Sequence, residues 1–179
     1  NYKLFGRSSK KGRNEWIKEC LDTIDYLYNV PSIAVWVPFN EGWGQFDAGR
    51  ITKLNRKNDK TRPIDQASGW FDQRGGDFKS DHNYFRKLDV VKDHRAFVLS
   101  EYGGYACRIE GHSSVERIYG YKKFSTKEDF SRAYRLLLDT ELKPLIEKGL
   151  CGAVYTQLSD VEEEVNGLLT YDRKVCKPQ

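Results

Sequence analysis

The run Ile33-Ala34-Val35-Trp36-Val37-Pro38-Phe39-Asn40-Glu41-Gly42-Trp43-Gly44 passes from apolar, largely β-branched residues into an Asn-Glu pair and then into glycines flanking a tryptophan. It is too short for a helix and reads as a strand buried on both faces, the pattern of a parallel sheet covered by helices. In such folds a carboxylate at the C-terminal end of a strand stands where chemistry is done. Further along, Arg95-Ala96-Phe97-Val98-Leu99-Ser100-Glu101-Tyr102-Gly103-Gly104 repeats the design. Two strand-end glutamates, Glu41 and Glu101, each with glycine close behind, are what the rest of the chain is expected to hold.

Working outward from the first run, residues 1–12 are polar and rich in Gly, Ser and Lys, and predict a loop. Asn14 predicts the cap of a helix over 15–28 with Trp16, Cys20, Ile24 and Leu27 at helical spacing, ended by Pro31. A second helix is expected over 47–58, with Ile51 and Leu54 inward. Strands follow at 62–68, 79–84 and 95–100, with a glycine-rich segment over 69–77 and a helical turn at 88–93. A polar, aromatic loop over 102–124, its part from Tyr102 to Tyr121 expected to lie over an active-site mouth, leads to the longest helix. Ser125 or Thr126 caps that helix, and Phe130, Tyr134, Leu137, Leu138, Leu142 and Leu145 lie along one side. Pro144 should bend or break it, and Gly149 closes it. A strand over 152–158 and an acidic, solvated loop over 160–164 complete the chain.

Strands alternating with helices imply parallel pairing through right-handed crossovers, hence an α/β class. Five strands cannot close an eight-stranded barrel. The expectation is either an open sheet or more than half of a (β/α)8 barrel, in one domain-sized piece of 179 residues.

Apolar content of 39% fits a globular chain, and no apolar run approaches the roughly 20 residues that span a bilayer. The chain has no Met and opens without a signal-peptide pattern, and is expected to be a piece of a longer polypeptide. Its net charge of +4 is mild, and the cluster from Arg7 to Arg13 reads as a solvated loop. Neither nucleic acid nor membrane is therefore an expected partner. Cys20, Cys107, Cys151 and Cys176 show no metal or disulfide spacing, so buried free thiols in a reducing compartment are expected; the address itself is not written in the sequence, with the cytoplasm favoured.

Four blocks, in order, carry a resemblance. Val37-Pro38-Phe39-Asn40-Glu41-Gly42-Trp43-Gly44-Gln45-Phe46-Asp47 resembles the acid/base strand of glycoside hydrolase family 2, the β-galactosidase, β-glucuronidase and β-mannosidase family. Asp81-His82-Asn83-Tyr84 resembles its sixth strand, Ser100-Glu101-Tyr102-Gly103-Gly104 its nucleophile strand, and Tyr155 to Leu168 the end of its catalytic barrel. The resemblance implies a partial (β/α)8 TIM barrel, its fourth to eighth strands, with residues 1–179 as a C-terminal portion of the catalytic domain. It implies a β-galactosidase-like retaining exo-β-glycosidase acting on a carbohydrate substrate. Glu101 is then the nucleophile, Glu41 the acid/base, Asn40 the contact to the sugar 2-hydroxyl and Tyr84 the support for Glu101. Retaining enzymes place the two carboxyl groups about 5–5.5 Å apart. Trp43 is a stacking candidate, and His82 and Gln157 join the substrate-binding set. The chain departs from the family at Gly104, where long β-galactosidases tend to carry His, and at Tyr155-Thr156-Gln157, where many relatives have Trp. No cofactor or metal is implied. A stretch this short is expected to hydrolyse little alone, and its uncovered barrel edges invite self-association. The alternative is a non-catalytic carbohydrate-binding or assembly module on the same fold.

Among other residues, Trp36 reads as core, Trp70 as a second stacking candidate, and His94 and His112 as surface. Asp65 and Gln66 are candidates to bind sugar hydroxyls at the same rim.

Overall fold

The computed structural model describes residues 7–179, so the first half of the predicted N-terminal loop lies outside the described residues. The chain divides into two compact units. The first runs to His82 and takes in Val91–Val98; the second comprises Asn83–Val90 and Leu99–Gln179.

The first unit opens with α1 (Lys10–Leu27), which starts before the predicted position because Ser9, not Asn14, is the N-cap, accepting from the Gly12 N–H at 3.3 Å. Lys10, Lys11 and Arg13 are therefore helical, not part of a loop. Arg13 lies over the Phe46 ring and pairs with Asp47 at 3.4 Å. Trp16 on α1 stacks on Phe39 with ring centroids 4.8 Å apart, and Phe46 meets both rings edge-on. This cluster continues into Ala48 and Ile51 of α2 (Ala48–Asn58) and into Ala67, with Leu54 packed against it. The predicted inward face of α2 is thus the observed one.

The run 33–40 makes a broken ladder rather than a full strand. Trp36 bridges Ile64 and Asn40 bridges Ser68, both in parallel. Between them stands Pro38, which has no N–H to give a ladder. Nor is the run buried on both faces, since Val37 is 48% exposed. Beneath it, buried Asp59 accepts from the Trp36 indole and the Arg62 guanidinium, both at 2.8 Å, and from the Thr61 N–H and hydroxyl. Burial pushes the Asp59 carboxyl up, but these donors outweigh it and hold the group well below the usual carboxylate range. β1 (Phe78–Asn83) follows, one residue off prediction. Residues 88–93 form no helical turn.

β2 (Ala96–Gly103) is divided between the units and is the middle strand of a sheet ordered β1-β2-β5, where β5 is Leu150–Thr156. The second unit holds two strands that the sequence did not predict, β3 (Tyr105–Cys107) and β4 (Lys122–Phe124), paired in parallel within the expected loop. Gly120 lets them approach: a Cβ there would stand 2.3 Å from that of Ala106. Among the described residues the strands form one three-stranded and one two-stranded sheet, and these do not close a barrel.

α3 (Lys127–Leu136) is capped by Thr126, which accepts from the Asp129 N–H at 3.1 Å. Helix continues as a π turn over Leu137–Leu142 and then α4 (Lys143–Glu147). Pro144 lies in the first turn of α4, so the local adjustment falls just before it, where its missing N–H and its ring disturb the preceding turn. Gly149 then takes φ 105°, closing the helix as predicted.

The predicted solvated acidic loop is solvated only in part. Asp160 is buried and pairs at 2.6 Å with Lys177, itself fully buried. The same ammonium donates to the Val165 carbonyl at 2.9 Å. Of the four thiols, Cys107 is buried and Cys20 half-buried, whereas Cys151 and Cys176 are exposed, contrary to the expectation that all four are buried.

Candidate active site

In the first unit, the chain leaves Phe39 through a backbone bond from Ser68 N–H to the Phe39 carbonyl at 2.9 Å, and the Glu41 N–H returns to the Ser68 carbonyl at 2.8 Å. Glu41 itself takes φ 52°, in the left-handed region that only glycine visits freely. Such a conformation costs of order 1–3 kcal/mol and persists only where the surroundings impose it. Gly42 makes the next step possible, because a Cβ there would stand 2.6 Å from the Phe71 ring.

His82 holds the Glu41 carboxylate. Its Nδ1 lies 2.9 Å from Glu41 Oε1 and its Nε2 lies 3.0 Å from Ser68 Oγ. Each ring nitrogen thus faces an oxygen, the Glu41 carboxyl on one side and the Ser68 hydroxyl on the other. The ring is 2% exposed and fits against Gly69, where a Cβ would stand 2.4 Å away. His82, expected to meet substrate, is buried here with Glu41 and Ser68 as partners of its two nitrogens. Trp70, an expected stacking residue, donates its indole N–H to the His82 carbonyl at 3.2 Å.

Asp65 and Gln66, candidates for sugar hydroxyls, are buried and already partnered. Asp65 accepts from Ser80 Oγ at 2.9 Å, and burial pushes its carboxyl above the usual range. Gln66 donates to Thr52 and accepts from the Gly75 N–H. Asn40 is exposed, and Trp43 is 61% exposed in the glycine turn beside it.

In the second unit, Glu101 stands near the end of β2, and the Tyr84 hydroxyl donates to its Oε2. That hydroxyl has one proton, so its 3.1 Å contact with Thr156 Oγ1 runs the other way, with the threonine donating. Burial first, and then the bond to Glu101, push the Tyr84 phenol far above its usual value, so it remains a donor at any ordinary pH. The Tyr84 ring stacks on Tyr121 at 3.9 Å. Gly104 permits this, since a Cβ there would stand 2.4 Å from the Tyr121 ring. Here the residue that departs from the long β-galactosidases has a local cause. Gly103 in the same way makes room for Tyr155, whose hydroxyl accepts from the Tyr105 N–H at 3.2 Å.

Gln157 is half-buried, and its amide donates to Asn166 Oδ1 at 2.8 Å and Glu164 Oε2 at 3.1 Å. Three contributors escaped the sequence reading: Ser68 behind His82, Thr156 behind Tyr84, and Tyr121 against Tyr84. Ser68 and Thr156 each lie near the end of a predicted strand, which is the one signal that marks them. Tyr121 had none beyond lying in an aromatic loop.

No known protein family matches the chain by sequence, and no curated protein does. Solved structures do resemble it. An FMN-binding β-glucuronidase from Faecalibacterium prausnitzii L2-6 superposes with a TM-score of 0.63 at 21% identity, over 94% of this chain and 31% of that one. A β-glucuronidase from an uncultured Clostridium sp. gives 0.66 at 17% identity, over 97% and 36%. β-Glucuronidase 2 of Bacteroides uniformis, covalently bound to cyclophellitol-6-carboxylate aziridine, gives 0.65 at 16%, over 94% and 25%. The chain therefore spans a quarter to about a third of the length of these enzymes and shares the fold of that stretch.

Proposed function

We propose that the chain is the C-terminal part of a (β/α)8 catalytic domain of glycoside hydrolase family 2, from a retaining exo-β-glycosidase that releases terminal β-linked sugars. The observation that carries this reading is the Tyr84 hydroxyl donating to the Glu101 carboxylate near the end of β2. A phenol that keeps its proton gives one oxygen of that carboxylate a fixed donor, which holds the group in place as a nucleophile must be held. The likeness of fold to bacterial β-glucuronidases supports the same class of reaction.

In the proposed reaction a Glu101 oxygen attacks the anomeric carbon. The glycosidic C–O bond breaks, and Glu41 passes its proton to the departing oxygen, leaving the sugar as an ester of Glu101. Glu41, now ionised, takes a proton from water. The water oxygen attacks the anomeric carbon and Glu101 leaves as carboxylate. Tyr84 releases part of its hold on Glu101 as the ester forms and regains it in the second step. His82, fixed by Ser68, aims the Glu41 carboxyl. Asn40 binds the 2-hydroxyl and Trp43 offers a ring face to the sugar.

Hydrolysis is proposed for the polypeptide in which this stretch is joined by the rest of a barrel; the 179 residues alone are expected to turn over nitrophenyl glycosides slowly or not at all. The test is covalent labelling by cyclophellitol-type aziridines of gluco, galacto, manno and glucurono configuration, run on this chain and on the longest natural polypeptide containing it. Intact mass and peptide mapping should place a single adduct on Glu101, absent in Glu101→Gln. An adduct elsewhere, or one that survives Glu101→Gln, overturns the assignment.

A further inference from the structure

Within the second unit, Glu101 and Thr156 meet at the hydroxyl of Tyr84. Tyr84 donates to Glu101 on β2, and Thr156, the last residue of β5, donates to the phenol oxygen at 3.1 Å. Thr156 Oγ1 has no other hydrogen-bond partner among the described residues. It lies in the stretch Tyr155-Thr156-Gln157, where many relatives have Trp, so the hydroxyl belongs to the departure from the family and not to the resemblance.

The ring and the hydroxyl of Tyr84 are fixed by different groups. The ring lies flat on Tyr121, with centroids 3.9 Å and planes 9° apart, and Gly104 clears the space beside it. Stacking sets the plane of the phenol. It leaves open the direction of the O–H, which can lie in that plane on either side of the C–O bond. Turned to one side it serves Glu101; turned to the other it leaves Glu101 Oε2 without this donor. Donation from Thr156 settles the choice, because it fills a lone pair of the phenol oxygen on the side that faces Thr156. The two bonds also reinforce each other, since a phenol that accepts a hydrogen bond is a better donor. Burial and then Glu101 push the phenol up, and the bond from Thr156 pulls it in the opposite direction, toward a stronger donor.

We propose that Thr156 is a positioning residue for the nucleophile. It acts through Tyr84, directing the phenol O–H so that one Glu101 oxygen is held while the other is free to attack. The role of Glu101 rests on the proposed function; the direction given to the phenol does not. When Glu101 becomes an ester its oxygens accept more weakly, and the bond from Thr156 keeps the phenol from turning away. The donor is then already in place when Glu101 leaves as carboxylate.

The experiment has two readings. The first needs no sugar: the NMR resonance of Tyr84 Cζ is followed in the chain with isotopically labelled tyrosine and identified by its loss in Tyr84→Phe. Thr156→Val, which keeps the shape and removes the hydroxyl, should move that resonance, and Thr156→Ser should leave it in place. The second is the rate of Glu101 labelling by a cyclophellitol-type aziridine in the longest natural polypeptide containing the chain. Thr156→Val should slow bond formation about fivefold at unchanged affinity for the reagent, and Thr156→Ser should stay within about twofold of wild type. Added to Tyr84→Phe, Thr156→Val should cost nothing further, because the link through which it acts is already gone. A Tyr84 resonance that Thr156→Val does not move overturns the proposal. So does a serine variant as slow as the valine one, or an equal slowing with and without the Tyr84 hydroxyl, which is what packing alone would give. If Glu101 takes no label at all, the proposed function falls, and the resonance still decides whether Thr156 directs the phenol.

Discussion

The two units hold their glutamates in different ways. Glu41 sits in a left-handed turn after a broken ladder, and its support is an imidazole backed by a serine. Glu101 sits in a regular strand, and its support is a phenol packed between aromatic rings. A neutral imidazole has one nitrogen that donates and one that accepts a hydrogen bond, whereas the buried phenol keeps its proton and gives it to the carboxylate as a hydrogen bond. The difference is the one the proposed roles call for, an acid/base at Glu41 and a nucleophile at Glu101. Each unit also buries an aspartate, and here the contrast is one of donors. Asp59 has four hydrogen bonds shared across both oxygens and is held low. Asp160 receives the Lys177 ammonium and the Gly167 N–H on one oxygen, its other oxygen has no hydrogen-bond partner among the described residues, and burial pushes the group above the usual range.

The largest effect is expected where donors are fewest. Lys177→Met leaves Asp160 buried and unpaired, and should cost about 3–5 kcal/mol at pH 7 in urea unfolding. The folded-state pKa of Asp160 is raised, so protonation relieves the strain: the penalty should shrink as pH falls into the carboxylate range. Adding Asp160→Asn to Lys177→Met should recover part of the loss. A double variant as unstable as the single one breaks the account of Asp160 as a carboxylate short of donors.

Asp59→Asn should cost the first unit about 1.5–3 kcal/mol, the usual worth of hydrogen bonds to a charged group. The sign of its pH dependence is opposite to that of Asp160. The folded pKa of Asp59 is depressed, so its contribution is complete above about pH 4 and is lost as pH falls below that. The gap between wild type and Asp59→Asn should therefore close in acid. All four tryptophans, Trp16, Trp36, Trp43 and Trp70, belong to the first unit, so tryptophan emission reads it directly. A gap independent of pH contradicts the depressed value.

Tyr84→Phe removes the charge-assisted bond to Glu101 while keeping the stacked ring. A loss of about 1.5–3 kcal/mol corresponds to labelling of Glu101 slowed by roughly 10- to 100-fold. Unchanged labelling places the support of Glu101 elsewhere.

How far the sequence spoke follows from the size of each signal. The helix 47–58, the Thr126 cap and the closure at Gly149 were legible because local chemistry sets them. The first helix started early because Ser9, in a stretch that looked like a linker, caps better than its surroundings suggest. β3 and β4 were illegible: three residues each, one of them largely lysine, give no period to detect. Tyr84 on Glu101 was expected from the resemblance, and the structure brings the two together. The partners of His82, Glu41 on one nitrogen and Ser68 on the other, could not be read from the sequence, because burial of a ring and the partners of its two nitrogens are tertiary facts. Asp160 shows the same limit from the other side, since four acidic residues in five look solvated until a lysine from far along the chain meets one of them.

The smallest expected effect bears most directly on the difference between the two glutamates. Ser68→Ala removes one neutral hydrogen bond from His82 Nε2 and leaves Nδ1 on Glu41, a change of about 1 kcal/mol, or roughly fivefold in rate. If His82 aims Glu41 as an acid, that loss depends on how much the departing oxygen needs a proton. A methyl or alkyl glycoside, which leaves poorly, should show it in full. A dinitrophenyl glycoside leaves without help and should show almost none in its first step. Tyr84→Phe, acting through Glu101, should slow both substrates alike. An equal loss for both leaving groups in Ser68→Ala would place His82 and Ser68 in the scaffold of the turn rather than in the proton's path, and the two units would then differ in architecture but not in chemical role.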